Sequence, residues 1–103
     1  MAKYLFAYKG GGVADTDEAR EASMAAWGAW FGQLGSAIVD AGNPFGPSSS
    51  VTSGGSNGAA SSALTGYSVI EASSIDDATS KAAGCPVIAD GGGVDVYETF
   101  DVM

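Results

Sequence analysis

A stripe of large apolar side chains in the first half of the chain limits the possible folds more than any other feature. Asp15 and Glu18 precede the stripe in the pattern of a capping box, and Gly42 before Asn43-Pro44 is a stop signal. The spacings of three and four residues follow one helix face, and the members are Met24, Trp27, Phe31, Leu34 and Ile38. The pattern predicts an amphipathic helix over about residues 16–41.

Three glycines interrupt this predicted helix at positions 28, 32 and 35. Each costs about 1 kcal/mol relative to alanine in a helix interior. Two interpretations stay open: they are neutral changes in a sequence rich in small residues, or they allow another backbone to approach closely.

The rest of the chain offers few large side chains to pack against the stripe. Leu, Ile, Val and Phe supply 19 of the 103 residues, whereas Ala, Gly and Ser supply 47. A chain of this length buries only about two-thirds of its unfolded surface, so a core made by one copy would be thin. With four basic and twelve acidic residues the net charge is −8, which argues against a nucleic-acid partner and against binding to anionic membranes.

Missing residue types exclude several chemistries. The chain has no histidine, and a single cysteine, Cys85, allows neither an intrachain disulfide nor a paired-cysteine zinc site. We therefore expect no metal and no cofactor, and we interpret Cys85 as a buried small residue rather than a reactive thiol. The N-terminal run is too short for a signal peptide and no segment is long enough to span a membrane. The expected location is the cytoplasm.

The remaining segments complete a single domain over residues 1–103. Strands are predicted at 3–9, 67–73 and 94–102, and a short helix begins after Ser74 and ends by Gly84. Residues 45–63 are rich in Ser, Gly and Ala and form either a weak hairpin around Ser56-Asn57-Gly58 or a flexible loop. The order β-α-β-β-α-β predicts an α+β, ferredoxin-like plait, with a four-stranded antiparallel sheet and two helices on one face.

Such a plait leaves one sheet face without cover, and no sequence remains to cover it. A second copy of the chain is the simplest partner that could cover this face, so we expect a homodimer formed through the sheet face.

Motifs spread over most of the chain carry a family resemblance. They are Lys3-Tyr4-Leu5-Phe6-Ala7-Tyr8, the helix with Trp27, Trp30 and Leu34, Gly66-Tyr67-Ser68-Val69-Ile70-Glu71-Ala72 with Asp76-Asp77-Ala78, Cys85-Pro86, and Gly93-Val94-Asp95-Val96. With these residues the chain resembles the YCII-related proteins, including the branch named for its DGPF motif. The resemblance implies a ferredoxin-like fold and two sheets paired in a dimeric α/β barrel.

The chain departs from that family at the positions of its named motif and of its catalytic pair. Ser56-Asn57-Gly58-Ala59 stands where the family has Asp-Gly-Pro-Phe, and the family's His/Asp pair has no counterpart without a histidine. The resemblance therefore implies the fold and the dimer but argues against transferring a catalytic activity.

The chain contains two glycine triplets. The triplet at 10–12 follows the first predicted strand, and the triplet at 91–93 precedes the last one. The first lies between a strand and a helix start, where backbone N–H groups can bind an anion. The following residues do not complete a phosphate-binding loop and the first helical turn is acidic. Flexible turns are the favoured interpretation of both triplets.

Carboxylates and aromatic rings on the predicted strands form the candidate site. Glu71 and Glu98 are candidate catalytic bases, since a neighbouring apolar surface raises a carboxyl pKa; solvated charges are the alternative. Aromatic side chains are numerous enough to line a small apolar pocket, with packing in the core as the alternative; they are Tyr8, Tyr67, Tyr97, Trp27 and Trp30. The candidate ligand-binding residues are Tyr8, Trp30, Tyr67, Glu71, Asp95 and Tyr97.

From these features we expect a dimeric domain that binds a small, mostly apolar molecule in a cleft beside the sheet, with little or no catalytic activity. Two alternatives stay open: a small lyase-type or proton-abstracting enzyme that uses carboxylates and tyrosines, and a domain whose role is pairing alone.

Overall fold

A computed structural model describes residues 2–11, 16–56, 58–60 and 63–102. The main sheet contains β1 (Ala2–Lys9), β2 (Ile38–Asp40), β5 (Leu64–Ala72) and β6 (Gly93–Glu98) in the antiparallel order β2-β5-β1-β6. A separate small hairpin pairs β3 (Val51–Thr52) with β4 (Gly55–Ser56). The helices are α1 (Asp17–Leu34), α2 (Ile75–Ala82) and α3 (Pro86–Ala89), with a 3-10 turn at Gly35–Ala37. This α+β architecture is compatible with a ferredoxin-like plait.

The core lies between one face of the sheet and the helices. Alternate residues of β1 point into it, and Tyr4, Phe6 and Tyr8 are at most 6% exposed. Trp30 and Leu34 of α1 pack in the same buried cluster, as do Ala78 and Ala82 of α2. The aromatic residues of β1 thus supply much of the core volume, and the alanines allow α2 to lie close to the sheet.

The first helix ends earlier than the sequence predicts. Gly35 adopts a positive φ of 54° and its N–H donates to the carbonyl of Phe31, which closes the helix. Ile38 then pairs with Ile70 as part of the edge strand β2. The predicted extension to residue 41 is wrong, because pairing with β5 buries Ile38 on the sheet instead of on a helix stripe.

The start of α1 is capped by Thr16, whose Oγ1 accepts from the N–H of Ala19 at 3.0 Å. The predicted cap, Asp15, lies outside the described residues. The buried face of the helix is also rotated relative to the prediction. Met24 is 75% exposed, whereas Trp30 is 3% exposed and its Nε1 donates to the carbonyl of Lys81 at 3.1 Å.

The second half follows the sequence prediction closely up to its last strand. Ser74 caps α2 by accepting from the N–H of Asp77 at 3.0 Å. β6 ends at Glu98, four residues short of the predicted end. The N–H of Thr99 still donates to the carbonyl of Lys3 at 2.9 Å, but Phe100 beyond it is 80% exposed. The prediction erred because alternation alone does not show where a partner strand stops.

The described residues of the segment 45–63 contribute no strand to the main sheet. Its hairpin reverses at residues 53–54, between β3 and β4, instead of around Ser56-Asn57-Gly58. Asn57, Ser61 and Ser62 lie outside the described residues. The second strand of the plait is therefore β2, which the sequence had assigned to the helix.

The two glycine-rich turns pack against each other. A Cβ added to Gly92 would lie 2.2 Å from the carbonyl oxygen of Lys9 and 2.8 Å from the nitrogen of Gly11. The N–H of Gly92 donates to the carbonyl of Val87 at 2.8 Å. The described part of the first triplet, Gly10 and Gly11, thus lies in close backbone contact with the second, which explains why both segments need small residues.

None of the helices in the described part of the chain covers the other face of the sheet. Cross-strand pairs on this open face are Lys3 with Glu71, Leu5 with Val69 and Tyr97, and Ala7 with Tyr67 and Asp95. The Cα trace measures 44 × 38 × 19 Å, so the molecule is a thin slab of one sheet and one helical layer. None of the helices within the described residues has the length and apolarity to cross a lipid bilayer.

Candidate functional site

A cleft opens between α1 and one end of the two central strands, where β1 ends and β5 begins. Its volume is about 790 Å³, within the range of roughly 300–1,000 Å³ typical of small-molecule sites. We name it the aromatic cleft after four of its described lining residues, Tyr8, Trp27, Phe31 and Tyr67. The other described lining residues are Gly10, Gly11, Ser23, Met24, Ala41, Gly42, Asn43, Pro44, Thr65, Gly66, Val87 and Asp90.

One wall is the segment that follows β2 and runs beside β5. Gly42 turns this segment with a φ of 75°, and its N–H donates to Oδ1 of Asp40 at 2.9 Å. The N–H of Tyr67 then donates to the carbonyl of Asn43 at 3.3 Å. Backbone contacts, rather than side-chain packing, therefore fix this wall against the sheet.

Gly66 lets the wall lie close to the strand. A Cβ at this position would meet the carbonyl oxygen of Asn43 at 3.1 Å and the Cα of Pro44 at 3.2 Å. It would also lie 3.6 Å from the ring of Tyr8. The missing side chain leaves space for the Tyr8 ring beside the wall.

A chain of buried hydroxyl groups holds Tyr8 in place. Its Oη donates to Oγ of Ser68 at 2.7 Å, and Oγ of Ser68 donates to the carbonyl of Ala41 at 2.6 Å. The direction is fixed because a carbonyl only accepts, so the Ser68 proton goes to Ala41 and the Tyr8 proton goes to Ser68. Ser68 is fully buried, and both of its hydrogen-bonding roles are used.

Aromatic contacts orient the rings that line the cleft. The rings of Trp27 and Tyr8 are in edge-to-face contact, with centroids 5.1 Å apart. The centroids of the Trp27 and Phe31 rings are 5.8 Å apart. Tyr67 pairs with Ala7, so its ring lies on the open face of the sheet, where it stacks on Phe45 with ring centroids 5.8 Å apart. These contacts favour a defined apolar surface over a loose collection of side chains.

Burial affects the titration of two groups near the floor of the cleft. Desolvation raises the pKa of Tyr8 to about 12, although the hydrogen bond to Ser68 opposes the shift. Burial raises the pKa of the Cys85 thiol to about 11. Tyr8 therefore keeps its proton near neutral pH, and Cys85 is a buried thiol rather than a thiolate nucleophile.

The structure separates the ligand-binding residues that the sequence groups together. Tyr8 and Tyr67 both border the aromatic cleft, but the ring of Tyr67 lies on the open face because Tyr67 pairs with Ala7. Trp30 is buried, and it borders a different groove of about 520 Å³ between α1 and α3, whose described lining includes five alanines. Asp95 and Tyr97 lie on the open face, where Asp95 binds Nζ of Lys9 at 2.8 Å.

The two candidate bases lie on opposite faces of the sheet. Glu71 pairs with Lys3 on the open face. Glu98 pairs with Tyr4 and accepts from its Oη at 3.0 Å. Burial, together with this carboxylate, raises the pKa of Tyr4. Neither glutamate is among the residues that line the aromatic cleft.

The remaining walls of the cleft were not predicted as site residues. The sequence pattern predicts Trp27 and Phe31 in the core stripe, and it predicts a helix end followed by a loop at 41–44. The helical spacing did bring Trp27 and Phe31 together, but only the position of β2 shows that they face a gap. Within the described residues, no group of three or more acidic or cysteine side chains is placed to hold a metal ion.

Comparison with known proteins adds no relative: no protein-family model matches the chain, and no match is found among curated proteins or solved structures. What the cleft binds therefore has to be inferred from its own side chains.

Proposed function

We propose that this chain is a YCII-related domain that binds a small, mostly apolar molecule in the aromatic cleft and pairs with a second copy through its open face. The observation that carries the binding function is the cleft itself, with the rings of Tyr8, Trp27 and Phe31 in its walls. Most small-molecule sites share this combination of apolar walls and a few fixed polar groups.

Binding fits the cleft better than proton abstraction does. A general base must reach the proton that it removes to within hydrogen-bonding distance. Glu71 and Glu98, the candidate bases, do not line the cleft and lie on opposite faces of the sheet. The hydroxyl of Tyr8 is neutral near pH 7, since its pKa is raised to about 12.

A thermal-shift screen of small aromatic and aliphatic compounds tests the binding function. A ligand at ten times its Kd stabilises the fold by about 1.4 kcal/mol, which raises the Tm of a domain of this size by about 6–11 °C. The variant Met24→Trp, which places a large ring beside the cleft, is expected to lose this response.

The matched control is Ala25→Trp, at the next position of α1, which is exposed and does not line the cleft. Ala25→Trp is expected to respond like the wild type. The binding function is wrong if no compound raises Tm, or if a response survives equally in both variants.

Pairing through the open face is the second part of the proposal, and a second copy is the occupant that its charges favour. The whole chain carries −8, so two copies repel each other over most of their surfaces. The central strands of the open face instead balance Lys3 and Lys9 against Glu71 and Asp95. Leu5, Val69 and the 56%-exposed Tyr97 lie between these charges.

Oligomeric state in solution tests the pairing. We expect sedimentation equilibrium to give twice the chain mass of 10.2 kDa. Tyr97→Glu is expected to shift the mass towards the monomer because it buries a charge in the interface. Ile88→Glu, an exposed apolar residue on α3 away from the open face, is the control. A monomeric wild type, or equal effects of both variants, contradicts the dimer.

A further inference from the structure

Two hydroxyl groups of the aromatic cleft already give their protons to other protein groups. The single proton of the Tyr8 hydroxyl is given to Ser68, which in turn donates to the carbonyl of Ala41 at 2.6 Å. Ser68 is fully buried, so water does not replace these partners. The Tyr8 oxygen therefore has only its lone pairs left for a ligand.

Thr65 has the same character. Its Oγ1 donates to the carbonyl of Tyr8 at 3.3 Å and lies 3.5 Å from the carbonyl of Gly10. A hydroxyl has one proton, so Thr65 too is left to accept from a ligand. The hydroxyl groups of Tyr8 and Thr65 thus favour a ligand that donates hydrogen bonds, whereas Ser23 and Asn43, which also line the cleft, can both donate and accept.

The charge of the cleft points in the same direction. Asp90 is the charged side chain among its described lining residues, and no lysine or arginine is among them. Lys9, one residue before the lining residue Gly10, is bound to Asp95 at 2.8 Å. A ligand anion would face a carboxylate within a chain whose net charge is −8.

The aromatic walls also favour a cation. The face of an aromatic ring attracts an ammonium group, and tryptophan does so most strongly. Trp27 and Phe31 line the cleft and both are only half-buried. The rings can thus contact an apolar group and a positive charge in one ligand.

We propose that the aromatic cleft is selective for a protonated amine attached to an aromatic or apolar group, and that it discriminates against the matching carboxylate. This inference rests on the proposed binding function, and it adds the charge of the ligand and the direction of its hydrogen bonds. Tyr8 and Thr65 accept from the ammonium group, Asp90 neutralises it, and the rings pack against the apolar part.

Three probes with one ring and different charges test the selectivity: 2-phenylethylamine, 2-phenylethanol and 3-phenylpropanoate. Their Kd values are measured by isothermal titration at low ionic strength, where surface charges are least screened. Since one exposed charge pair contributes up to about fivefold in affinity, we expect the amine to bind about tenfold more tightly than the carboxylate, with the alcohol between them.

Two charge-neutralising variants identify the source of the preference. Asp90→Asn is expected to reduce the amine-to-carboxylate ratio about threefold. Asp76→Asn removes an exposed carboxylate on α2, outside the cleft, and is expected to leave the ratio unchanged. Both positions are exposed, so folding is preserved.

The outcomes separate the two proposals. Equal binding of all three probes, or tighter binding of the carboxylate, overturns the charge selectivity and leaves the binding function standing. A preference that Asp90→Asn and Asp76→Asn reduce equally also overturns it, because the long-range charge of the chain would then be the cause. Absence of binding by all three probes, with no hit in the wider screen, overturns the binding function as well.

Discussion

Gly42 shows how a single residue without a side chain shapes the cleft. It turns the chain after β2 with a φ of 75°, and a Cβ added there would lie 1.7 Å from the carbonyl oxygen of Tyr67. The left-handed conformation alone costs a residue with a side chain about 1–2 kcal/mol. The clash adds to this cost because the atom in the way belongs to backbone that pairs with Asn43.

We therefore expect Gly42→Ala to lower the free energy of unfolding by more than about 2 kcal/mol, as measured by urea denaturation. Gly28→Ala is the matched control: this glycine lies inside α1, and an added Cβ has nothing within 4 Å. That substitution is expected to stabilise the fold by about 1 kcal/mol through helix propensity. Similar effects of the two substitutions would contradict this account of Gly42.

The open surroundings of Gly28 and Gly32 also decide between the two interpretations of the glycines in the first helix, neutral change and close backbone approach. Neither glycine has a neighbouring atom within 4 Å of an added Cβ, so they do not mediate close backbone approach within this chain. Gly66 and Gly92 do, with contacts at 3.1 Å and 2.2 Å. Spacing along a helix did not distinguish the two kinds of glycine, because the difference depends on which segment packs beside each one.

At the scale of elements, the first turn of α2 combines a cap with an ion pair. Asp77 receives Nζ of Lys81 at 2.8 Å, and its other oxygen accepts from the N–H of Ser73 at 3.0 Å. These hydrogen bonds, with that from Lys81 the largest cause, lower the pKa of Asp77 to about 2 from the ordinary 3.8. The carboxylate thus stays charged in the folded state over a range of pH in which it is protonated in the unfolded chain.

A lowered pKa in the folded state sets the direction of the pH dependence. Asp77 contributes stability that is fully present above the unfolded pKa of about 4 and is lost as the pH falls towards about 2. We expect Asp77→Asn to reduce the loss of stability between these two pH values, as followed by urea denaturation at each pH. Asp76→Asn, at the adjacent exposed carboxylate, is the control. An unchanged acid slope in Asp77→Asn would refute the assignment.

The elements that the sequence predicted best are those fixed by local signals. Ser74 with Asp77 marked the start of α2, and the alternation in β1 and β5 identified two central strands. The end of α1 was missed because Gly35 was weighed as an interior residue, although its φ of 54° makes it the stop. β2 was missed with it, since its three residues gain their structure from pairing with β5 rather than from their own pattern.

The cleft was predictable only in part, because several of its walls also depend on which segments pack together rather than on a local sequence pattern. Tyr8 and Tyr67 were named from their aromatic character, and both line it. Trp27 packs against the core as its place in the stripe predicts, but it also lines the cleft, whereas Trp30 is buried and borders the groove between α1 and α3. A helical wheel gives the spacing of side chains but not the rotation of the helix on its sheet. Asn43, Pro44 and Gly66 carry no chemical signal of their own and join the site through backbone contacts.

At the scale of the whole molecule, the thin core follows from the shape. The slab is 19 Å thick with a radius of gyration of 15.1 Å, larger than the roughly 13 Å of a compact domain of this length. A single helical layer covers a single face of the sheet, and the open face keeps Leu5 and Val69 half-buried. Pairing with a second copy would convert this half-covered sheet into the centre of a four-layer structure.

The uneven charge of the chain predicts how salt affects that pairing. Most of the net charge of −8 lies away from the open face, whose central strands balance two lysines against two carboxylates. Long-range repulsion between the two copies is therefore larger than attraction across the interface. It is screened as the Debye length falls from about 30 Å at 0.01 M salt to about 3 Å at 1 M.

We accordingly expect the dimer Kd to fall as sodium chloride is raised from about 0.01 to 0.5 M, as measured by sedimentation equilibrium. Sodium fluoride serves as a control for specific anion binding and is expected to give the same dependence. An interface held mainly by ion pairs would respond in the opposite direction, because screening weakens such pairs. A Kd that rises with salt would therefore place the contact on another surface, where charges of opposite sign meet.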